Sequence, residues 1–358
     1  MKKLLVVLLA LFIAGGAFAQ DVSIAATGVF DSSFGLHSNF GANDVNANAW
    51  HFGFGDAKLG ATVSGGPVSA MIRLQGASGY TIPTIVNIGF AALDAADVTV
   101  ALKSVDLSAG YGWLPWTFWG SVNLFGDNNY NCGASGIKDT YFQVKFAASD
   151  ALNFYAGLAG RGVDGETLKD NAVFPGFYLG GDFGQDKFSA GAAFMGTPRG
   201  KNWDGNNDSR FFWTFDLHGK VKLDPVTIGL NLAFYGDPAA GSVMDGRLAT
   251  PIAAVDWSDF SIFSGTKDDL IFEGMLDFGF GFDSGNLGVS LGMVSNMAPK
   301  DKGGQGAGLK IGAGYDFDLG GGFLLTPGAF LLAPVSGAGG ADPDKASLDV
   351  AVTFTYSF

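Results

Sequence analysis

The last twelve residues, Ser347-Leu348-Asp349-Val350-Ala351-Val352-Thr353-Phe354-Thr355-Tyr356-Ser357-Phe358, alternate between two kinds of side chain. On an extended strand Val350, Val352, Phe354, Tyr356 and Phe358 fall on one face, and Asp349, Ala351, Thr353, Thr355 and Ser357 on the other. A period of two marks a β-strand with one apolar and one polar surface. The same alternation recurs along the chain, which argues against a lone edge strand of a soluble sandwich. Mean hydropathy is +0.24, yet beyond residue 19 no apolar run reaches the ~18 residues a membrane helix needs. A chain that is apolar on balance but has no helical span can satisfy its backbone in lipid as a closed barrel, whose strands bond to one another all the way round.

The head of the chain reads differently. Met1-Lys2-Lys3, an apolar stretch over 4–16 and Ala17-Phe18-Ala19 form a charged start, an apolar core and a small-residue cleavage site. That is a secretory signal peptide over 1–19, cut before Gln20 on export through the inner membrane, and it leaves one barrel domain over 20–358. Formal charge is −13 for the whole chain, and it falls to −15 once Lys2 and Lys3 leave with the signal. This acidic balance argues against a nucleic-acid partner. Cys132 is the single cysteine, so there is no disulfide framework.

Segments of alternating hydrophobicity fall at 22–31, 50–63, 68–75, a stretch ending at 103, 107–113, 140–147, 152–160, 176–183, 188–196, 211–223, 226–235, 270–282, 287–296, 308–318, 323–332 and 347–358. Phe52 and Phe54 break the phase set by Leu59, Ala61 and Val63, so a bulge is expected near Gly53 or Gly55. Connections alternate between tight turns and long loops. The reading is an all-β transmembrane antiparallel barrel of about 16 strands, with both termini periplasmic. Using 85–93 and 252–262 as extra strands gives 18, and fusing weak ones gives 14.

Charged side chains on the lipid side cost about 2–4 kcal/mol at mid-membrane. That rule puts Arg73, Lys145, Asp182, Asp216, His218, Lys220, Glu273, Asp277, Lys310 and Asp316 on the inner face, each flanked by mostly apolar neighbours. So many ionisable groups inside call for a wet lumen, because a dry one would leave them desolvated, and about sixteen strands make a barrel wide enough for water.

The final Phe and the run before it, with Phe354, Tyr356 and Phe358, resemble the assembly signal of bacterial outer-membrane barrels. The signal segment, the Phe-terminated strand, the strand count and the long third loop together resemble a general diffusion porin, and the Gly- and Phe-rich style also resembles some spirochaete outer-membrane proteins. The resemblance implies that loop 114–139 folds into the lumen as a constriction. Trp116 and Trp119 would be its aromatics, and Asp127 and Asp139 its acidic residues, facing a basic wall drawn from Arg73, Lys145 and Lys310. It also implies a homotrimer and recognition of the last strand by the barrel assembly machinery.

Sharper motifs fail on context. Gly288-Val289-Ser290-Leu291-Gly292 has nucleophile-elbow spacing but lies inside an alternating strand. Asp204-Gly205-Asn206-Asn207-Asp208 starts like a calcium loop but lacks the following Gly and the distant Glu. Trp113, Trp116 and Trp119 suit membrane-interface anchoring better than a sugar platform. No enzyme, metal or cofactor is expected. The function read from the sequence is passive diffusion of small hydrophilic solutes across the outer membrane, in contact with its lipids, with mild cation preference. The alternative is a surface adhesin or antigen carried on a barrel.

Overall fold

The computed structural model describes residues 22–39, 48–75, 92–113, 138–159, 176–199, 210–236, 270–302, 304–337 and 346–358. They form sixteen strands: β1 (Val22–Asn39), β2 (Asn48–Gly65), β3 (Val68–Gln75), β4 (Ala92–Leu102), β5 (Val105–Trp113), β6 (Lys138–Ala147), β7 (Leu152–Ala159) and β8 (Gly176–Gln185), then β9 (Phe188–Arg199), β10 (Arg210–Leu223), β11 (Val226–Gly236), β12 (Leu270–Phe282), β13 (Gly285–Asn296), β14 (Ala307–Gly320), β15 (Phe323–Ser336) and β16 (Ser347–Ser357). Each strand pairs antiparallel with the next, and β16 pairs with β1. The sheet therefore closes on itself and leaves no strand edge, which is the condition for β-structure in lipid. The circuit closes at sixteen, so neither fourteen nor eighteen strands describes it. No helix among the described residues is long and apolar enough to cross a membrane.

Seven tight turns join the strands at one end, among them Gly66-Pro67, Lys103-Ser104, Asp283-Ser284 and Gly321-Gly322. Gly322 holds φ at +86°, where a side chain is strained, and a Cβ there would meet the Ser357 carbonyl oxygen. The C-terminus lies at this same end. The Phe358 amide donates to the Gly28 carbonyl at 3.1 Å, and the Gly28 amide donates to the Phe358 carbonyl at 3.0 Å. Phe358 thus extends the ladder by one rung and latches the barrel seam.

β1 runs eight residues past the expected end at Asp31, and the connection read as 32–49 shrinks to 40–47. The misleading residue is Ser32. It occupies the apolar phase of β1 between Phe30 and Phe34, so the alternation looks broken where the strand continues. The bulge lies where the aromatic phase break put it. Phe30 pairs with Ala57 and Ser32 with Phe54, so Gly55 and Asp56 together oppose Asp31. The extra residue shifts the phase, and positions 50, 52 and 54 fall on the same side of the sheet as 57, 59 and 61. A second register shift between Arg73 and Leu74 leaves Asp94 as the extra residue of β4.

Candidate functional site: the inner face of the barrel

Register and burial together separate the two faces. The large apolar residues exposed on the barrel exterior include Phe142, Phe146, Phe154, Leu158, Leu230, Leu291 and Ile311, together with Val350, Val352 and Phe354 of β16. Between them in sequence sit buried polar residues: Gln143, Asn231, Ser290, Lys310, Thr353 and Thr355. A buried polar side chain beside an exposed apolar one is the inverse of a soluble protein's pattern, and it follows directly when the outside is lipid.

All ten ionisable residues picked out in the sequence share the inner face. One row of register partners crosses eight strands, Asn153–Asp182–Gly191–His218–Asn231–Met275–Gly292–Lys310, and brings three of them into one line. The rows beside it carry Lys220 with Asp277 and Asp216 with Glu273, each pair separated by one residue of β11. Lys145 is the direct register partner of Asp106. Arg73 stands apart from these on β3, where its partner is Ala95 and the diagonal neighbour is Asp97. The ten are not equivalent. Asp216, Glu273, Asp277, Lys310 and Asp316 are buried, whereas Arg73, Lys145, Asp182, His218 and Lys220 are half-buried.

Short hydrogen bonds hold several acidic groups in place. Asn153 Nδ2 donates to Asp182 Oδ2 at 2.8 Å, and Thr214 Oγ1 donates to Asp216 Oδ1 at 3.2 Å. Thr326 Oγ1 donates to Asp316 Oδ1 at 2.6 Å. Hydrogen bonds to a charged acceptor are stronger than neutral ones, and these lower the cost of keeping carboxylates off bulk water. Lys310 Nζ sits 5.4 Å from the centre of the Phe330 ring, within cation–π range. Tyr178 donates its hydroxyl to Gln143 Oε1 at 3.1 Å.

Rings on this face lie along the wall because glycines on the neighbouring strand make room for them. A Cβ on Gly157 would collide with Tyr178, on Gly180 with Tyr155, on Gly191 with His218 and on Gly312 with Phe330. Glycine in a strand weakens it unless something approaches closely, and here a ring does.

Lys58, Asp97, Asp106, Tyr141, Tyr155 and Tyr178 belong to the same face by register and were missed. The signal was present for Asp97 and Lys58, since both alternate with apolar neighbours. The tyrosines gave none, because an aromatic residue reads as lipid-facing. Trp116, Trp119 and Asp127 of the expected constriction lie outside the described residues. Asp139 is a correction. It is the second residue of β6 and pairs with Gly112, because the phase of Tyr141, Gln143 and Lys145 extends back through it, so it belongs to the strand and not to the loop. Phe354, Tyr356 and Phe358 do share one face at the seam. Phe323 stacks on Tyr356 with centroids 4.3 Å apart, and Phe358 stacks on Phe30 at 6.4 Å.

Ser290 is fully buried, and its Oγ has no hydrogen-bond partner among the described residues. Among the described residues no three His, Cys, Asp or Glu side chains converge into a metal site.

No family model matches the chain, and no curated protein matches it in sequence. Solved structures do. The outer-membrane channel DcaP of Acinetobacter baumannii superposes with a TM-score of 0.67 at 11% identity, over 94% of this chain and 97% of that one. The anion-selective porin of Comamonas acidovorans gives 0.64 at 13%, over 94% and 100%. OmpF of Salmonella typhi, in complex with daunomycin, gives 0.62 at 13%, over 94% and 97%. At such identities the likeness is one of fold, and the fold is the sixteen-stranded barrel of bacterial outer-membrane porins.

Proposed function

We propose that this protein is an outer-membrane porin through which small hydrophilic solutes diffuse. The observation that carries the reading is the sorting of side chains on a closed barrel: ionisable groups inside, aliphatic and aromatic ones outside. Such a wall shields a charged solute from lipid without any chemistry. The signal segment over 1–19, the periplasmic position of both termini and recognition of Phe354, Tyr356 and Phe358 by the assembly machinery belong to the same reading, as does a homotrimer. So does narrowing of the lumen by the connection between β5 and β6, which carries Trp116, Trp119 and Asp127.

We further propose a mild cation preference. Among the described inner-face residues eight carboxylates (Asp97, Asp106, Asp182, Asp216, Glu273, Asp277, Asp316 and Asp318) stand against six bases (Lys58, Arg73, Lys145, Lys220, Lys222 and Lys310). Fixed carboxylates in a pore favour cations. The fold does not dictate the sign, since one protein of this fold is an anion-selective porin. The test is reconstitution of the purified barrel in a planar bilayer under a salt gradient. Discrete conductance steps with a reversal potential of cation-favouring sign are expected. Silent bilayers would reject the channel, and an anion-favouring sign would reject the charge argument.

A further inference from the structure

The two sides of the lumen differ at equal height above the tight turns. Strands of one barrel share a common tilt, so the number of residues from the turn measures height. Arg73 and Asp97 stand six residues from Pro67 and Lys103, and both keep partial contact with solvent. Asp277 and Ser290 stand six residues from Asp283 and Ser284, and both are 0% exposed. Two residues higher Lys58 is half-buried while Met275 is 1% exposed, although the short side chain of Ala95, at that height on β4, is itself 4% exposed. Water therefore reaches the charged side chains on the inner face of β2–β5 and, above the first rungs, is kept off the inner face of β12–β14.

We infer that the permeation path is off-centre and runs along β2–β5, and that Lys58, Arg73, Asp97 and Asp106 are the charges a permeating ion meets at closest range; being two of each sign, they modulate selectivity locally, while its overall sign stays with the net charge of the inner face. Glu273, Asp277 and Lys310, although on the same face by register, belong to a closed side. This rests on the channel reading and deepens it. At about 7 Å through water a half-buried carboxylate attracts a cation and repels an anion by roughly 0.6 kcal/mol each, and salt at ~0.1 M cuts both by about half, which leaves a preference of roughly two- to three-fold between ions of opposite sign. A charge fully buried in the wall is out of reach of that close approach.

The test compares two serines. In a Cys132→Ser background, Ser108→Cys places a thiol on β5 and Ser290→Cys places one on β13, each nearly isosteric with the original. Ser108 is half-buried, Ser290 fully buried. The folded barrel is treated with sulfonatoethyl methanethiosulfonate, and labelling is followed by mass. Labelling of Ser108→Cys should be at least ten-fold faster (roughly, from the contrast in burial), and equal rates or the reverse order would overturn the inference. In bilayers Asp97→Asn should lower the cation-to-anion permeability ratio about two- to three-fold and Arg73→Gln should raise it by a similar factor. Asp277→Asn should leave it unchanged, and a shift there as large as that of Asp97→Asn would also overturn it. A wild-type barrel that conducts nothing would defeat the channel reading alone, because the labelling contrast still reports which wall is open.

Discussion

Leu291 and Met71 offer a direct measurement of which face meets lipid. Leu291 lies on β13, is 43% exposed and points outward between Ser290 and Gly292. It stands seven residues from Ser284. At a rise of ~3.3 Å per residue and a tilt of ~40°, that is about 18 Å above the turn. Tyr315 with Phe317, and Phe323 with Tyr356, form two aromatic pairs just above the turns, and the apolar band of such barrels is about 25 Å tall, so Leu291 sits near mid-membrane. Leu291→Arg should cost about 2–4 kcal/mol, which is roughly 30- to 700-fold in the folding equilibrium. Met71 lies on the inner face of β3, half-buried, with Asp97 directly across as its register partner. Met71→Arg creates an opposite-charge cross-strand pair, a contribution of about 0.2–1 kcal/mol in favour of folding, so its net effect should stay within ~1 kcal/mol of zero. The assay is equilibrium urea unfolding in phosphatidylcholine vesicles, followed by tryptophan fluorescence. Equal costs for the two substitutions, or a silent Leu291→Arg, would refute the assignment of faces.

Two further substitutions probe the seam and the inner wall. Gly28→Val places a side chain where the Phe358 ring already lies, and the paired backbone bonds stop the ring from backing away. Overpacking of this kind costs about 1–3 kcal/mol, so the temperature at which the barrel loses its folded gel mobility should fall, and an unmoved transition would show that the seam is not tightly packed. Thr326→Val removes the donor to Asp316 inside a buried pair and should cost about 1.5–3 kcal/mol. Thr326→Ser keeps the hydroxyl and should recover most of that, and a urea midpoint indifferent to both changes would mean the bond contributes nothing.

Alternation made the strands legible, and it failed where one residue opposed the phase. Asp216, His218 and Lys220 sit between Phe215, Leu217, Gly219 and Val221, and the lipid cost of a charge orients such a strand without further information. Ser32 was enough to end β1 too early, because a small hydroxyl on the lipid side is cheap for the barrel but reads as a loop. Asp139 was misplaced for the opposite reason, since a polar residue at a strand's first rungs looks like the tail of the polar stretch before it. The burial of Asp277 and Lys310 could not be read at all. Periodicity tells which face a side chain takes but carries no term for how much water reaches that face, and the difference between Asp97 and Asp277 is entirely of the second kind. The tyrosines of β6–β8 were hidden because a phenol suits either a membrane interface or a wall where its hydroxyl has a partner, and only the register of Gly157 and Gly180 decides between them.

That last point explains the composition. The chain carries 56 glycines, and glycine in a strand costs roughly 0.5–1 kcal/mol relative to alanine, so a barrel this rich in glycine must use the missing side chains. One use is the seating of rings, where Tyr155, Tyr178, His218 and Phe330 each lie over a glycine of the adjacent strand. The other is a belt. Gly279, Gly288, Gly314 and Gly328 are successive register partners on the inner face of β12–β15, and Ala351 and Gly35 continue the row onto β16 and β1. Six adjacent strands thus present nothing larger than a methyl group along one register row of the interior. The belt lies beside the row that holds Asp277, Ser290 and Phe330, on the side of the barrel where water is excluded. Beside so bare a row the Phe330 ring packs over Gly312 and lies 5.4 Å from Lys310 Nζ. Enlarging the belt residues should therefore disturb Asp277 and Lys310 before it narrows the open wall at Arg73 and Asp97.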